Sequence, residues 1–209
     1  MTDKTYEVAF EIAGPTAIFV RPDSGASFVS YPAPTYSAAV GMFAAVARLE
    51  TAYLRPTHVH VCRPLRYHNY TTNYNGPLRK SKQIKDGTPY QLPTVVLADV
   101  CYQVFGIVAE LGSPPLNNKG KKFNHAHYLQ DKFNRRLGKG VLFHTPVLGW
   151  KEFPPDYFGP LRPETQPDAS INEFIPAMLM ETFDKPSHGS WNPQFKPVWI
   201  RNGVMRYAQ

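Results

Sequence analysis

Apolar spacing along this chain switches twice from the two-residue period of a strand to the 3.6-residue period of a helix, an order that few folds accommodate. In EVAFEIAGPTAIFV, Val8, Phe10 and Ile12 alternate, Gly14-Pro15 interrupts, and Ala17-Ile18-Phe19-Val20 resumes. That spacing predicts a central strand, a break and a short extension. In VSYPAPTYSAAVGMFAAVARLE, Thr35 follows Pro34 near a helix N-terminus, and Ala39, Met42, Phe43, Val46 and Leu49 share one face. In THVHVCRPLRYHNY, Val59 and Val61 alternate with His58, His60 and Cys62 until Pro64, which predicts a strand leading toward a sheet edge.

The next stretch, about residues 66–93, is polar, basic and aromatic, and reads as an inserted hairpin or loop without a core of its own. Alternation and β-branched density return from about Val95 to Leu111, a strand. SPPLNNKGKK then makes a loop, NHAHYLQDKFNRRL a helix from His125 to Leu137 stopped by Gly138, and GVLFHTPVLGWKEF a strand. The collected order, β-α-β-insertion-β-α-β, predicts an α+β fold of the ferredoxin-like, RRM-like kind, in which helices cover one sheet face and leave the other free. This unit takes residues 1–154. Residues 155–209, where proline recurs, read as a small β-rich appendage ending in a hairpin at Asn202-Gly203. Trp191, Phe195 and Trp199 read either as an interface or as the small core of this appendage, and alternation around Val198 and Ile200 favours the core.

A length of 209 residues allows one good core, or one larger and one smaller unit. No run reaches the roughly 18 to 20 apolar residues of a membrane span, and MTDKTYEVAF carries no apolar signal core, so no membrane partner and a cytoplasmic location are expected. The two cysteines, Cys62 and Cys101, lie in apolar segments and read as buried free thiols. A net charge of +7, from 23 basic and 16 acidic residues, makes a polyanion the natural partner if the cations are clustered.

They cluster twice. On the helix from His125 to Leu137, Leu129, Phe133 and Leu137 form the buried stripe, while His127, Asp131 and Asn134 point away. Arg136 falls near the stripe and snorkels past the sheet edge. The bland account of this helix is a solvated face with an Asp131–Arg135 pair, and of Gly138 a left-handed cap. The sharper account is that Gly138-Lys139-Gly140, beside Arg135 and Arg136, lets a phosphate approach the backbone. The second cluster is Arg66, Arg79, Lys80, Lys82 and Lys85, interleaved with Tyr67, His68, Tyr70 and Tyr74. Cations for phosphates and flat rings for unstacked bases suit single-stranded RNA, and a mobile solubilising loop is the alternative.

His58 and His60 share a strand face, but no acidic residue sits close by in sequence to complete a site, and His125 and His127 diverge on a helix, so no metal is expected. No P-loop, dinucleotide fingerprint, HExxH or GxSxG occurs, and no cofactor is expected.

Strand EVAFEIAGPTAIF, SYPAPTYSAAVGMFAAV, HVHVCRPLRY, TVVLADVCYQV and above all FNRRLGKGVLFHTPVLGWKEF together resemble the CRISPR-associated Cas-five family in its Dvulg or type I-C form, within the RAMP superfamily of Cascade subunits. The resemblance covers about residues 5–158. It implies a ferredoxin-like RAMP palm with a glycine-rich loop, an inserted thumb, and a subunit that grips the 5′ handle of CRISPR RNA (crRNA) beside the backbone and large subunits of Cascade. Palm contacts would come from Arg135, Arg136, Gly138, Lys139 and Gly140, and thumb contacts from Arg66, Arg79, Lys80 and Lys82. Members of the type I-C form also cut the precursor RNA without metal, by 2′-hydroxyl attack, using an aromatic or histidine at the end of the first helix and a Lys-His pair opening the second. This chain carries Ala47 and His127-Tyr128 at those positions, with lysines at 121 and 122 ahead of them. His127 could be the base, Tyr128 an orienting or proton-donating group and Lys122 the electrostatic partner, and all three read equally as handle-binding residues. Three functions therefore stand open: a crRNA-capping Cascade subunit, a metal-independent endoribonuclease acting on the pre-crRNA repeat, and an unrelated RNA-binding or metal-dependent enzyme.

Overall fold

Tyr90–Glu110 forms one strand of 21 residues, and the rest of the chain is arranged around it. The computed structural model describes residues 4–25, 27–74, 80–87, 90–111, 124–183 and 189–207. In chain order the elements are β1 (Glu7–Ala17), β2 (Phe28–Val29), α1 (Tyr36–Val46), β3 (Ala52–Val61), β4 (Tyr67–Tyr74), α2 (Ser81–Lys85), β5 (Tyr90–Glu110), α3 (His125–Gly138), β6 (Tyr157–Gly159), β7 (Glu173–Leu179), β8 (Phe195–Arg201) and β9 (Val204–Arg206). The fold is α+β: a mostly antiparallel sheet in the order β6-β1-β5-β3-β9-β8-β7, carrying few helices. The first part of β5 pairs with β4, as the inserted hairpin, and in parallel with β2; its second part runs between β1 and β3.

Both long helices lie on one sheet face. Thr35 caps α1 by accepting the Ala38 N–H at 3.2 Å, and Asn124 caps α3 by accepting the His127 N–H at 2.9 Å. Their stripes meet the sheet through Phe10, Phe43 and Phe133, with ring centroids 4.9 Å and 5.6 Å apart, and all three rings are fully buried. Core residues also come from β7, β8 and β9, including Met178, Ile200 and Met205, so the C-terminal strands continue the same buried layer. The turn at Asn202-Gly203, with φ of 49° and 74°, is the two-residue hairpin the sequence predicts.

Four expectations are corrected. β1 does not break at Gly14-Pro15: Gly14 pairs with Val100 and Thr16 with Ala98, while Asp99, opposite the proline, turns to a φ of 54°. Proline has no N–H for the ladder, so the partner strand yields and β1 stays continuous. β3 is not heading to an edge, because β9 pairs with it at His58–His60. GVLFHTPVLGWKEF is not a strand. Its backbone bonds are irregular: Phe143 N–H donates to Ala45 C=O at 2.7 Å, Ile18 N–H to Leu148 C=O at 2.9 Å, and Leu148 N–H to Phe153 C=O at 2.9 Å. The segment buries Leu148 and Phe153 by wrapping past α1 and β1, and the strand that pairs with the free edge of β1 is the short β6. Finally, Trp191, Phe195 and Trp199 are not core: they are 74%, 45% and 50% exposed. The alternation is real, but Val198 and Ile200 fill the inner face and the aromatic rings take the outer one.

Gly149 sits at φ 102°, and a Cβ there would lie 1.6 Å from the Ile18 carbonyl oxygen. Gly138 is helical and a Cβ there meets nothing within 4 Å. Gly149→Ala is expected to cost about 2 to 3 kcal/mol or more, whereas Gly138→Ala should be neutral or raise stability by about 0.5 to 1 kcal/mol. Urea unfolding of the two variants checks the contrast, and equal effects would contradict it.

Candidate nucleic-acid interface

At the end of α3 the two neighbouring arginines part company. Arg136 turns inward: its Nε donates to the Val46 carbonyl at 2.6 Å and its guanidinium lies 4.1 Å from the Phe143 ring centroid. Arg135 faces out and meets Asp131 at 3.6 Å, both side chains being more than half exposed. An exposed pair of this kind is worth little and can be exchanged for a phosphate. The Lys139 ammonium is exposed and has no ionic partner among the described residues.

The left-handed residue of this loop is Gly140, at φ 64°, and Gly138 is the last residue of the helix. The amides of Lys139, Gly140 and Val141 donate to Arg136 and Leu137 carbonyls at 2.9 to 3.1 Å. They satisfy the helix end and are not aimed at solvent. What the loop offers is room, with open space over both glycines, and the Lys139 and Arg135 charges beside it.

The same block then carries the chain to the hairpin. Phe143 is 52% exposed and lies under the Arg136 guanidinium and the Lys132 ammonium. Trp150 and Phe153 stack at 5.9 Å, Trp150 packs edge-on to Phe28, and Phe153 packs edge-on to Tyr70 at the base of β4. Apolar rings thus clamp the loop to the hairpin while the cations stay outside. Of the hairpin cations, Arg66 is exposed and reaches Asp99 at 3.8 Å, a carboxylate that also binds Arg63. Lys80, Lys82 and Lys85 are exposed on and beside α2. Arg79 and Lys122 lie outside the described residues.

The N-terminus of α3 brings together residues that sequence spacing did not. His127 is exposed, and its ring stands edge-on to Tyr6 at 5.9 Å. The Tyr6 hydroxyl accepts from Asn124 Nδ2 at 2.9 Å, and Lys4 Nζ is 5.4 Å from the Tyr6 ring. Tyr128 is 38% exposed with Lys132 Nζ 6.0 Å from its ring. Nothing in the local pattern of TYEV announces this, because only the packing of α3 across β1, through Gln130 Nε2 to the Glu7 carbonyl at 2.8 Å, sets Tyr6 beside His127. His125 is buried, bonded to Thr51 at 2.9 Å and 2.9 Å from Glu110, and Ala47 is buried at the end of α1. Neither the Ala47 side chain nor its position supplies a titratable group to this cluster.

On the helix-free face, Glu11 is fully buried. It accepts from the Arg162 N–H at 3.0 Å, Arg162 Nε at 2.6 Å, Gln103 Nε2 at 3.3 Å and the Thr165 hydroxyl at 3.0 Å. Burial opposes ionisation, but these donors, Arg162 foremost, outweigh it and hold the carboxyl below its ordinary 4.5. His58 and His60 bond Thr57 and Gln103 through their Nδ1 atoms, and no cluster of three or more His, Cys, Asp or Glu suited to a metal occurs among the described residues. No helix of the described residues is long and apolar enough to cross a membrane.

Residues 7–183 match the model of a family described as CRISPR-associated protein (Cas_Cas5). A protein of Thermus thermophilus named CRISPR pre-crRNA endoribonuclease Cas5d is 30% identical over 92% of this chain and 87% of its own length. A protein of the same name from Mannheimia succiniciproducens is 26% identical over 95% of this chain and 93% of its own. A solved structure titled as a CRISPR-associated protein superposes with a TM-score of 0.69 at 18% identity, covering 99% of this chain and 95% of that one, a likeness of fold.

The Glu11 carboxylate gives its stability above the unfolded pKa and loses it as pH falls through the lower folded value. Glu11→Gln is therefore expected to cost about 2 to 4 kcal/mol at pH 7, with the gap from the unsubstituted chain narrowing below about pH 4. Urea unfolding across pH measures it, and a gap independent of pH would contradict the assignment.

Proposed function

The chain belongs to the CRISPR-associated Cas5 family, and from that membership we propose that it binds crRNA as a Cascade subunit and caps the 5′ handle. The observation that carries this reading is the course of Phe133–Phe153. It leaves the basic end of α3, passes Phe143 and ends with Phe153 against Tyr70, so one segment joins two surfaces of outward cations. Arg135 and Lys139 would grip the handle backbone from the palm, with Arg66, Arg79, Lys80 and Lys82 from the hairpin. Gly138 and Gly140 would serve by leaving space, and Arg136 by holding α3 to α1 and presenting Phe143. The antiparallel order β6-β1-β5-β3 supports a ferredoxin-like RAMP palm. Residues 1–154 would form that unit, with residues 155–209 a β-rich region continuing its sheet, in a protein of the cytoplasm with the backbone and large Cascade subunits as partners.

A second reading, pre-crRNA cleavage, is favoured by the names of both relatives and by the Tyr6–His127 contact. His127 would take the proton of a 2′-hydroxyl, whose oxygen attacks the adjacent phosphorus and expels the 5′-oxygen, leaving a 2′,3′-cyclic phosphate and a 5′-hydroxyl. Tyr128 would orient or protonate the leaving oxygen, and Lys122 would neutralise the phosphate.

Lys139→Ala is expected to weaken repeat-RNA binding alike for different sequences and to lower the slope of log K against log salt by about one. Unchanged affinity and slope, in this variant and in Arg135→Ala with Lys139→Ala, would remove the palm contact. Incubation with repeat RNA in EDTA separates capping from cleavage: a cyclic-phosphate product lost in His127→Ala establishes cleavage, and intact RNA bound by both proteins establishes capping alone.

A further inference from the structure

The strand register sets a row of side chains across the face that α1 and α3 leave uncovered. Phe105 and Gln103 on β5 stand opposite His58 and His60 on β3, which stand opposite Arg206 and Val204 on β9. Val204 stands opposite Arg201 on β8, and Trp199, two residues before Arg201, stands opposite Phe174 on β7. Their strand neighbours Val59, Val104, Ile200 and Met205 all point into the core, so the row lies on the opposite face. From β5 to β7 it crosses four inter-strand steps, about 19 Å.

We propose that this face is a second single-stranded RNA surface, where unpaired bases stack on Trp199, Phe174 and the His58–Phe105 pair while Arg201 and Arg206 meet the phosphates. Phe174 and Trp199 are about half exposed, at 47% and 50%, with ring centroids 4.6 Å apart, and the Arg201 guanidinium lies 5.4 Å from the Trp199 ring. His58 is stacked on Phe105 at 4.4 Å with only 3° between the planes. Burial, then His60 and Arg206, lowers the His58 pKa to about 4, and burial also lowers that of His60. Both imidazoles are therefore neutral, flat rings at pH 7. Arg201 and Arg206 are exposed, and neither has an ionic partner among the described residues. The buried carboxylate of this face, Glu11, is already neutralised by Arg162.

Rings that alternate with unpaired guanidinium groups, in a chain of net charge +7, match an unstacked polyanion better than an apolar protein face. Such a face accepts bases without reading their edges, because every base has a π surface. A span of about 19 Å suits the two or three bases that aromatic sheet faces stack. The surface is separate from the end of α3, which packs on the other side of the sheet. It does not depend on handle binding there.

The test uses fluorescence anisotropy with a short oligouridine lacking any repeat sequence, and with an abasic strand of the same length. The unsubstituted protein is expected to bind oligouridine more tightly than the abasic strand. Trp199→Ala with Phe174→Ala should raise the oligouridine Kd about tenfold or more and leave the abasic strand unaffected. Because a double substitution can disturb β7 and β8, 4-thiouridine crosslinking of the unsubstituted protein gives a second reading, with crosslinks expected at Trp199, Phe174 or His58. Equal affinity for the two strands, or crosslinks confined to other surfaces, would overturn the proposal. So would a double variant that keeps its RNA affinity but loses a protein subunit from the purified complex, which would make this face a protein interface.

Discussion

One long strand carries the architecture. β5 hydrogen-bonds to the hairpin strand β4 over its first part and to β1 and β3 over its second. The inserted basic segment is therefore an extension of the central sheet and inherits its direction. α1 can lie close to this strand because of Gly106, where a Cβ would meet the Phe43 ring at 2.9 Å and the Arg55 carbonyl oxygen at 2.7 Å. The Phe10–Phe43–Phe133 cluster follows from that approach, and with it the position of α3. The cations at the end of α3 thus sit on a helix whose Phe133 packs on the ring that fits against Gly106.

The concentration of charge between Phe133 and Phe153 then has a physical account. A helix C-terminus carries partial negative charge, and Arg135 and Arg136 in the last turn offset it. Arg136 goes further and ties α3 to the last carbonyl of α1. The outer charges, on Arg135, Lys139 and Lys151, stay exposed to solvent. The apolar residues interleaved with them do separate work: Leu148, Trp150 and Phe153 fix the segment to β1, β2 and the hairpin base. Charge and hydrophobicity alternate here because the segment is anchored on one side and solvated on the other.

Much of this was legible in the sequence. Both long helices, the cap at Thr35, most of the buried stripes and the terminal hairpin came from periodicity and turn residues, and the family resemblance from motifs, although Leu49, read with the first stripe, lies beyond the end of α1. The failures share a cause. Gly14-Pro15 read as a break because a proline's effect on a ladder depends on whether the partner strand can adapt, and Asp99 does so with a φ of 54° while the register stays unshifted. Residues 140–153 read as a strand because their apolar density is real, but its burial is achieved by a wrapping loop. Trp199 read as core because alternation identifies two faces without saying which one is inside. Tyr6 and Glu11 carried no local signal, since their partners, His127 and Asn124 for Tyr6 and Arg162 for Glu11, are more than a hundred residues away.

The central claim is that the end of α3 and the base of the inserted hairpin act as one RNA grip joined by Phe133–Phe153. Amide hydrogen exchange with and without repeat RNA tests it most directly. The account predicts that binding slows exchange together at residues 138–143 and 67–72. Tight binding of the RNA with exchange unchanged in either stretch would contradict it.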